Sequence, residues 1–132
     1  MDIKEFAQKF IEAEDDAWKN GNCDALQALE TPDVVYHMLI MGDQDQVGWE
    51  AHKEYILGMR QMAPEIHQEW NYVAGDGNVF SLSYKSQSKF ENEVPMLSIP
   101  AGGTAATNAL FVFRLEGNRI AEAWCHGNMA VQ

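Results

Sequence analysis

The hydrophobic pattern of this chain changes its period once, near residue 65. Before that point apolar residues recur every three or four positions, as on one face of a helix, and after it apolar and polar residues alternate as in a half-buried strand. Helices followed by consecutive strands favour an α+β fold, because a parallel sheet needs a helical crossover between successive strands. At 132 residues the chain fits one domain, spanning residues 1–132.

Helices dominate the first half. A capping pair, Asp2 and Glu5, precedes a stripe of apolar residues that stops at Gly21. A second, shorter helix ends before Pro32, because proline disfavours helical backbone in the residue before it. The pattern predicts helices over residues 3–20, 23–30 and 49–62, a strand over 34–41 and a polar turn over 43–46.

Four long strands are predicted in the second half. Turns containing glycine at residues 75–78 and 116–118 join them into two hairpins. The strands begin at residues 65, 79, 104 and 119, with an irregular stretch over 91–103 that contains proline and glycine. We therefore predict three N-terminal helices packed on one face of a strongly bent, mixed or antiparallel sheet.

The charge balance and the cysteine count narrow the function classes. Nine Lys and Arg residues against twenty Asp and Glu residues give a net charge of −11, which repels nucleic-acid phosphates and anionic lipid headgroups. Cys23 and Cys125 are too few for a disulfide framework and indicate free thiols in a reducing, cytoplasmic location. No stretch resembles a signal peptide or a membrane span. We expect neither nucleic acid nor a membrane as a partner.

The last predicted strand carries an unusual face. Glu122, Trp124, His126 and Asn128 alternate with other residues and would share one side of the strand. A buried core disfavours the polar groups and a solvent-exposed face disfavours the indole, whereas the wall of a ligand pocket can contain both. In that interpretation Trp124 is an apolar wall, Asn128 fixes a carbonyl or hydroxyl group, and Glu122 lies near the rim.

Several segments together resemble a known family. Residues 98–124, S-I-P-A-G-G-T-A-A-T-N-A-L-F-V-F-R-L-E-G-N-R-I-A-E-A-W, are similar to the SnoaL-like polyketide cyclase branch of the nuclear transport factor 2-like superfamily. Upstream, D-V-V-Y-H from Asp33 and G-W-E from Gly48 are similar to that family's segments. The resemblance implies a cone-shaped fold, which serves isomerases, dehydratases, cyclases and noncatalytic binding proteins.

The chain departs from the family's pattern at one position, so we expect a different residue to carry the proton. Many SnoaL-like cyclases have an acid–base aspartate four residues after the tryptophan, and this chain has Asn128 there. An amide exchanges no proton near neutral pH. Because an unperturbed histidine titrates near pH ~6.5, His126 on the same face is the first candidate catalytic residue. His37, at the family's histidine position, is the second.

An aromatic-lined cavity is the expected substrate site. Each contributing side chain could also be ordinary core, but together they allow a pocket for a flat, largely apolar organic molecule. Glu122 has a simpler alternative, an ion pair with Arg114 or Arg119 on the adjoining strand. The expected substrate-binding residues are Asn128, Trp124, Tyr55, Met59, Trp70, Tyr84, Trp18 and Glu122.

Other chemistries find little support in the sequence. His52 and His67 show no ligand spacing with the other histidines, so we expect no metal and no catalytic role for either residue. The sequence has no glycine-rich phosphate loop, so no nucleotide or other cofactor is expected. Cys125 would point away from His126 on a regular strand, which disfavours a nucleophilic Cys–His pair.

The expected function is cofactor-free acid–base chemistry of the isomerase, cyclase or dehydratase kind on a small organic molecule. Two alternatives are a noncatalytic ligand-binding protein, which would fit Asn128, and an interaction module that uses the outer sheet face. A two-fold homodimer is also expected. The last hairpin is apolar on both faces, as Leu110 and Val112 alternate with Phe111 and Phe113, and the helices can cover only one of them.

Overall fold

The computed structural model describes residues 2–41 and 44–132, and this part of the chain contains three α-helices and six β-strands. The helices are α1 (Ile3–Asn20), α2 (Asp24–Ala28) and α3 (Trp49–Met62). The strands are β1 (Glu30–Met38), β2 (Gln44–Val47), β3 (Glu65–Asp76), β4 (Val79–Lys89), β5 (Thr104–Glu116) and β6 (Arg119–Val131). Among the described helices, none is long and apolar enough to cross a membrane.

Local sequence explains both ends of α1. The Glu5 backbone N–H donates a hydrogen bond to the Asp2 carboxylate at 2.8 Å, which satisfies one of the donors left free at a helix start. At the other end Gly21 adopts a left-handed conformation with φ of 74°, which glycine does without strain. The predicted helices over residues 3–20 and 49–62 are confirmed.

The six strands form one open, mixed sheet with the order β2-β1-β6-β5-β4-β3. Neighbours pair antiparallel except β1 and β6, which run parallel with His37 opposite Trp124. The first strand, from the helical half of the chain, therefore lies beside the last one. The predicted α+β class with helices on a mixed sheet is confirmed.

The first half differs from the prediction around β1. Residues 44–46, predicted to be part of a polar turn, belong to the edge strand β2, which pairs with β1; residue 43 lies outside the described residues. The side chains of β2 are mostly polar and exposed, as edge strands often are, so their composition resembles that of a turn. β1 covers Glu30–Met38 rather than residues 34–41, and Pro32 lies where its register against β6 shifts. An irregular stretch of that kind tolerates proline.

The core lies between the helices and one face of the sheet. α1 lies against β3 and β4, and α3 lies against β1 and β2. Phe10 of α1 is fully buried, and its ring centroid lies 4.7 Å from that of Phe113 and 6.1 Å from that of Phe80. Tight aromatic packing therefore fixes α1 on the sheet.

Gly127 permits a close approach of β5 and β6. A Cβ atom at this position would lie 2.1 Å from the Asn108 carbonyl oxygen and 2.6 Å from the Ala109 Cα atom. Both contacts are far shorter than van der Waals separation and both involve backbone atoms. The sheet is therefore shaped here by the absence of a side chain.

Candidate functional site

A cavity of about 80 Å³ lies between the helices and the inner face of the sheet. Its volume suits several water molecules or a small organic group. Side chains from α1, α3 and all six described strands form a wall that is mainly apolar. The Phe, Tyr and Trp residues of the wall are Trp18, Tyr36, Tyr55, Trp70, Tyr84, Phe90 and Phe111.

Five of the residues predicted to bind substrate lie on this wall: Trp18, Tyr55, Met59, Trp70 and Tyr84. Trp18 and Tyr55 cross nearly at right angles, with ring centroids 6.0 Å apart. Trp70 and Tyr84, on neighbouring strands, have centroids 4.4 Å apart. The structure thus brings residues from two helices and two strands together around one space.

The cavity has one strongly polar end. Glu14 of α1 and His52 of α3 line it, and Glu30 of β1 lies beside His52. The Nε2 atom of His52 is 3.8 Å from Glu14 Oε1 and 3.9 Å from Glu30 Oε2. All three residues are at least nine-tenths buried. Two carboxylates and an imidazole therefore share a space with almost no access to bulk water.

Aromatic side chains hold the two carboxylates in place. The Trp18 indole N–H donates to Glu14 Oε2 at 2.8 Å, and the Tyr36 hydroxyl donates to Glu30 Oε2 at the same distance. The Tyr36 ring also packs on His52, with centroids 4.0 Å apart. Within the described residues, Glu30 Oε1 and both ring nitrogens of His52 have no hydrogen-bond partner. Trp18 and Tyr36 thus orient the two carboxylates, while Glu30 Oε1 and the His52 ring nitrogens keep unused hydrogen-bonding capacity.

Burial and mutual charge shift the titration of this cluster. Burial raises the pKa of Glu30 to about 7, with a further increase from Glu14, while His52 and Tyr36 oppose the shift. Burial alone would lower the pKa of His52, but Glu30 and Glu14 together raise it above its ordinary value. Groups that change protonation near neutral pH can give or take a proton in catalysis.

The side chains of Glu14, Glu30 and His52 could also coordinate a metal cation. One ligand atom from each of Glu14, Glu30 and His52 lies within 4.8 Å of the others. Carboxylate oxygen and imidazole nitrogen are common ligands of divalent metals.

The remaining titratable groups of the wall include Tyr55 and Cys125, and burial raises the pKa of each to about 12, so both stay neutral at physiological pH.

The predicted pocket face of β6 lies on the opposite side of the sheet. Ala123 and Cys125 point inward and are buried, and Cys125 lines the cavity. Side chains alternate along a strand, so the even-numbered residues from Glu122 onward point outward. The prediction that this face lines the cavity is wrong, and its four residues, Glu122, Trp124, His126 and Asn128, lie outside the wall.

His37 also lies on the outer face. Its ring nitrogens lie 2.6 Å from Glu122 and 2.9 Å from Asp45, and its ring stacks on Trp124 with centroids 5.5 Å apart. The hydrogen bond to Glu122 raises the pKa of His37 and lowers that of Glu122. Arg114 pairs with Glu122 at 3.2 Å, which confirms the alternative interpretation of this acid. His37 is therefore part of a surface ion network.

Sequence reasoning missed Glu14, Glu30 and His52. Two signals were available: Glu14 lies four residues after Phe10 on the apolar face of α1, and His52 shares a face of α3 with Tyr55. An acid or a histidine on a buried helix face must be paired or functional. His52, for which no catalytic role is expected from the sequence, lies on the cavity wall.

The family model described as the SnoaL-like domain matches residues 7–123 of the chain. The chain belongs to the SnoaL-like family. A comparison with the curated proteins found no match.

Solved structures share the fold of this SnoaL-like chain. A candidate SnoaL-like polyketide cyclase from Jannaschia has a TM-score of 0.76 and 15% identity, over 94% of this chain and 85% of that one. A candidate polyketide cyclase from Acidithiobacillus ferrooxidans has a TM-score of 0.74 and 17% identity, over 96% and 91%. A ketosteroid isomerase-like protein from Catenulispora acidiphila, in complex with trimethylamine, has a TM-score of 0.70 and 16% identity, over 89% and 84%. At these identities the likeness shows the fold alone.

Glu30→Gln should flatten the pH dependence of stability. The pKa of Glu30 is raised in the folded state from 4.5 to about 7, so the folded protein binds more protons than the unfolded chain between these values. The free energy of unfolding should therefore fall as pH rises through about 7, by up to about 3 kcal/mol. Glutamine can still accept the Tyr36 hydrogen bond but cannot ionise, so the variant should lack this loss.

Urea denaturation of both proteins at about pH 5 and about pH 8 measures the difference. Glu65→Gln, which neutralises an exposed acid of β3, is the matched control and should keep the wild-type slope. Parallel pH profiles for wild type and Glu30→Gln would show that Glu30 does not titrate in a buried site.

Proposed function

We propose that this protein binds a small organic molecule in the cavity and catalyses cofactor-free proton transfer on it, of the isomerase, cyclase or dehydratase kind. The observation that supports this proposal is the buried cluster of Glu14, Glu30 and His52 at one end of an aromatic-lined cavity. Apolar walls hold the body of the ligand, and its polar group meets the cluster.

His52 is the proposed proton carrier. It lines the cavity, and its Nε2 has no hydrogen-bond partner among the described residues. Although burial lowers its pKa, Glu30 and Glu14 raise that pKa above its ordinary value. Glu14, which Trp18 holds in position, stabilises the imidazolium form. Glu30, which lies beside His52, also raises the pKa of His52. An acid and a base with shifted pKa values in one dry site are typical of enzymes that move protons.

The relatives are compatible with a small-molecule site. The Jannaschia and Acidithiobacillus structures are described as candidate polyketide cyclases, and the Catenulispora protein was solved with a small amine. At least one protein of this fold was therefore solved with a small organic molecule. We extend that use to this chain on the basis of its own cavity.

A noncatalytic ligand-binding protein is the second candidate. Neither carboxylate lies within hydrogen-bonding distance of His52, since the separations are 3.8 and 3.9 Å. A preformed acid–base pair is usually closer, although such bonds often tighten only when the substrate is bound. This candidate predicts binding without turnover.

Substitution of His52 should remove proton transfer but not binding. Small ketones incubated with the protein in deuterated buffer should exchange the C–H protons next to the carbonyl, followed by NMR. His52→Gln should slow this exchange by about 100-fold, with ligand affinity within a few-fold of wild type, because an acid–base group acts mainly on the transition state.

His126→Gln, on the outer face, is the matched control and should exchange at the wild-type rate. The proposal would be contradicted by exchange that survives His52→Gln and is lost in His126→Gln. Ligand binding with no exchange in the wild-type protein would establish the noncatalytic alternative.

We also propose a homodimer through the outer face of β5 and β6. Leu110 is 46% exposed at the middle of β5, and Val112 and Trp124 beside it are only half-buried. The helices cover the other face, so a second copy is the expected cover for this one.

Leu110→Asp should shift the dimer toward the monomer, because it places a charge in the proposed contact. Light scattering at micromolar protein measures the mass. Val73→Asp changes a residue of β3 that is 54% exposed and should leave the mass unchanged. A monomeric wild-type protein would refute the dimer.

A further inference from the structure

The charged side chains around the cavity are mainly negative. Among the described residues that line the cavity, none is lysine or arginine, and the carboxylate on the wall belongs to Glu14. Glu30 adds a second carboxylate behind His52. The cavity therefore offers negative charge to a ligand, with His52 as the one group able to offset it. The net charge of −11 for the whole chain also favours the approach of cations.

The polar end has unused hydrogen-bonding and charge capacity. The Glu30 side chain is fully buried and its Oε1 atom has no partner in the part of the chain that the structure describes. His52 Nε2 stays 3.8 Å from Glu14, so this pair does not neutralise itself by a hydrogen bond. On the cavity wall Glu14 accepts the Trp18 N–H through Oε2, and its Oε1, 3.8 Å from His52, can accept a hydrogen bond from a positively charged group of a ligand.

The aromatic walls suit a cation as well. Trp18 donates its N–H to Glu14, so a carboxylate and an indole ring meet at one corner of the cavity, and Tyr55 crosses that indole at 81°. Trp70 and Tyr84 form a second aromatic wall. Rings that surround a cation attract it through their electron-rich faces, most strongly where water is excluded.

The rest of the wall decides which cation fits. A bare ammonium ion or a hydrated metal needs oxygen acceptors on all sides. Gln46, Ser86, Ser88 and Thr107 supply some acceptors, but most of this wall is apolar. An alkylated ammonium carries its charge on a surface of methyl or methylene groups, which match aromatic and methionine side chains. The small volume of the cavity, about 80 Å³, favours a compact ion of this kind.

We propose that the ligand of this cavity is a small alkylammonium cation, held by Glu14 at the polar end and by the faces of Trp18, Tyr55, Trp70 and Tyr84. This inference rests on the proposed function, since it names the chemical class of ligand for the same cavity. It assigns the charged group of the ligand to the end where His52 lies.

Calorimetric titration with choline and with its neutral isostere, 3,3-dimethylbutan-1-ol, tests the proposal, because the two probes differ in the charge of one atom. Choline should bind at least about tenfold more tightly. Glu14→Gln should remove most of that preference while leaving affinity for the alcohol unchanged, since glutamine can still accept the Trp18 hydrogen bond. Glu12→Gln neutralises an exposed acid on the same helix and should retain the preference.

Several outcomes would overturn the inference. Equal affinity for the two probes would show a cavity that ignores charge, and the proposed function would stand. Loss of preference in Glu12→Gln as well as in Glu14→Gln would indicate attraction to the acidic surface only. Tight, stoichiometric binding of Zn²⁺ alone, without choline binding, would assign the cluster to a metal. If neither choline, the alcohol nor any ketone bound a protein whose circular dichroism spectrum shows it folded, the proposed function would fall too.

Discussion

The burial of Glu14, Glu30 and His52 is the constraint on which the rest of this structure depends. Unpaired charges in a protein interior cost several kcal/mol each, so such a cluster persists only where opposite charges and hydrogen-bond donors surround it. Here α1, β1 and α3 each contribute one member, and the nitrogen of His52 lies 3.8 and 3.9 Å from the two acids. The packing of these elements and the titration of the cluster are therefore coupled: a displacement of any one element exposes or isolates a charge.

The sheet separates two kinds of polar chemistry. On its inner face Cys125 and Met129 of β6 line the cavity, and Cys125 stays neutral there. On its outer face His37, Glu122 and Arg114 form a partly exposed ion network across β1, β6 and β5. Exposed ion pairs contribute little to stability, roughly 0–1 kcal/mol. Their arrangement follows from the parallel pairing of β1 with β6, and it accounts for Glu122 and Trp124 on the outer face of β6 without a ligand.

The sequence predicted periodic structure well and the direction of side chains poorly. The capped start of α1, the bounds of α3 and the four long strands follow from local pattern, which tertiary packing did not override. The pairing of β1 with β6 depends on contacts between distant residues. The inner face of β6 was misassigned because both faces of that strand carry apolar residues, so the alternation of Trp124 with Cys125 does not show which points to the core. His52 and Glu14 were missed because neither belongs to a sequence motif, and the helix face on which each lies does not show which residues it meets across the fold.

The titration of the His52 ring, followed by nitrogen NMR of histidine-labelled protein, tests the central claim most directly, because it needs no ligand. The account holds that Glu30 and Glu14 keep the pKa of His52 above its ordinary value of 6.5 in spite of complete burial, and that Glu30 titrates beside it near 7. We predict a His52 midpoint above 6.5 with a second inflection from Glu30. A His52 ring that stays neutral well below pH 6.5 would show that burial outweighs the two acids, and that the cavity has no charged, proton-exchanging end.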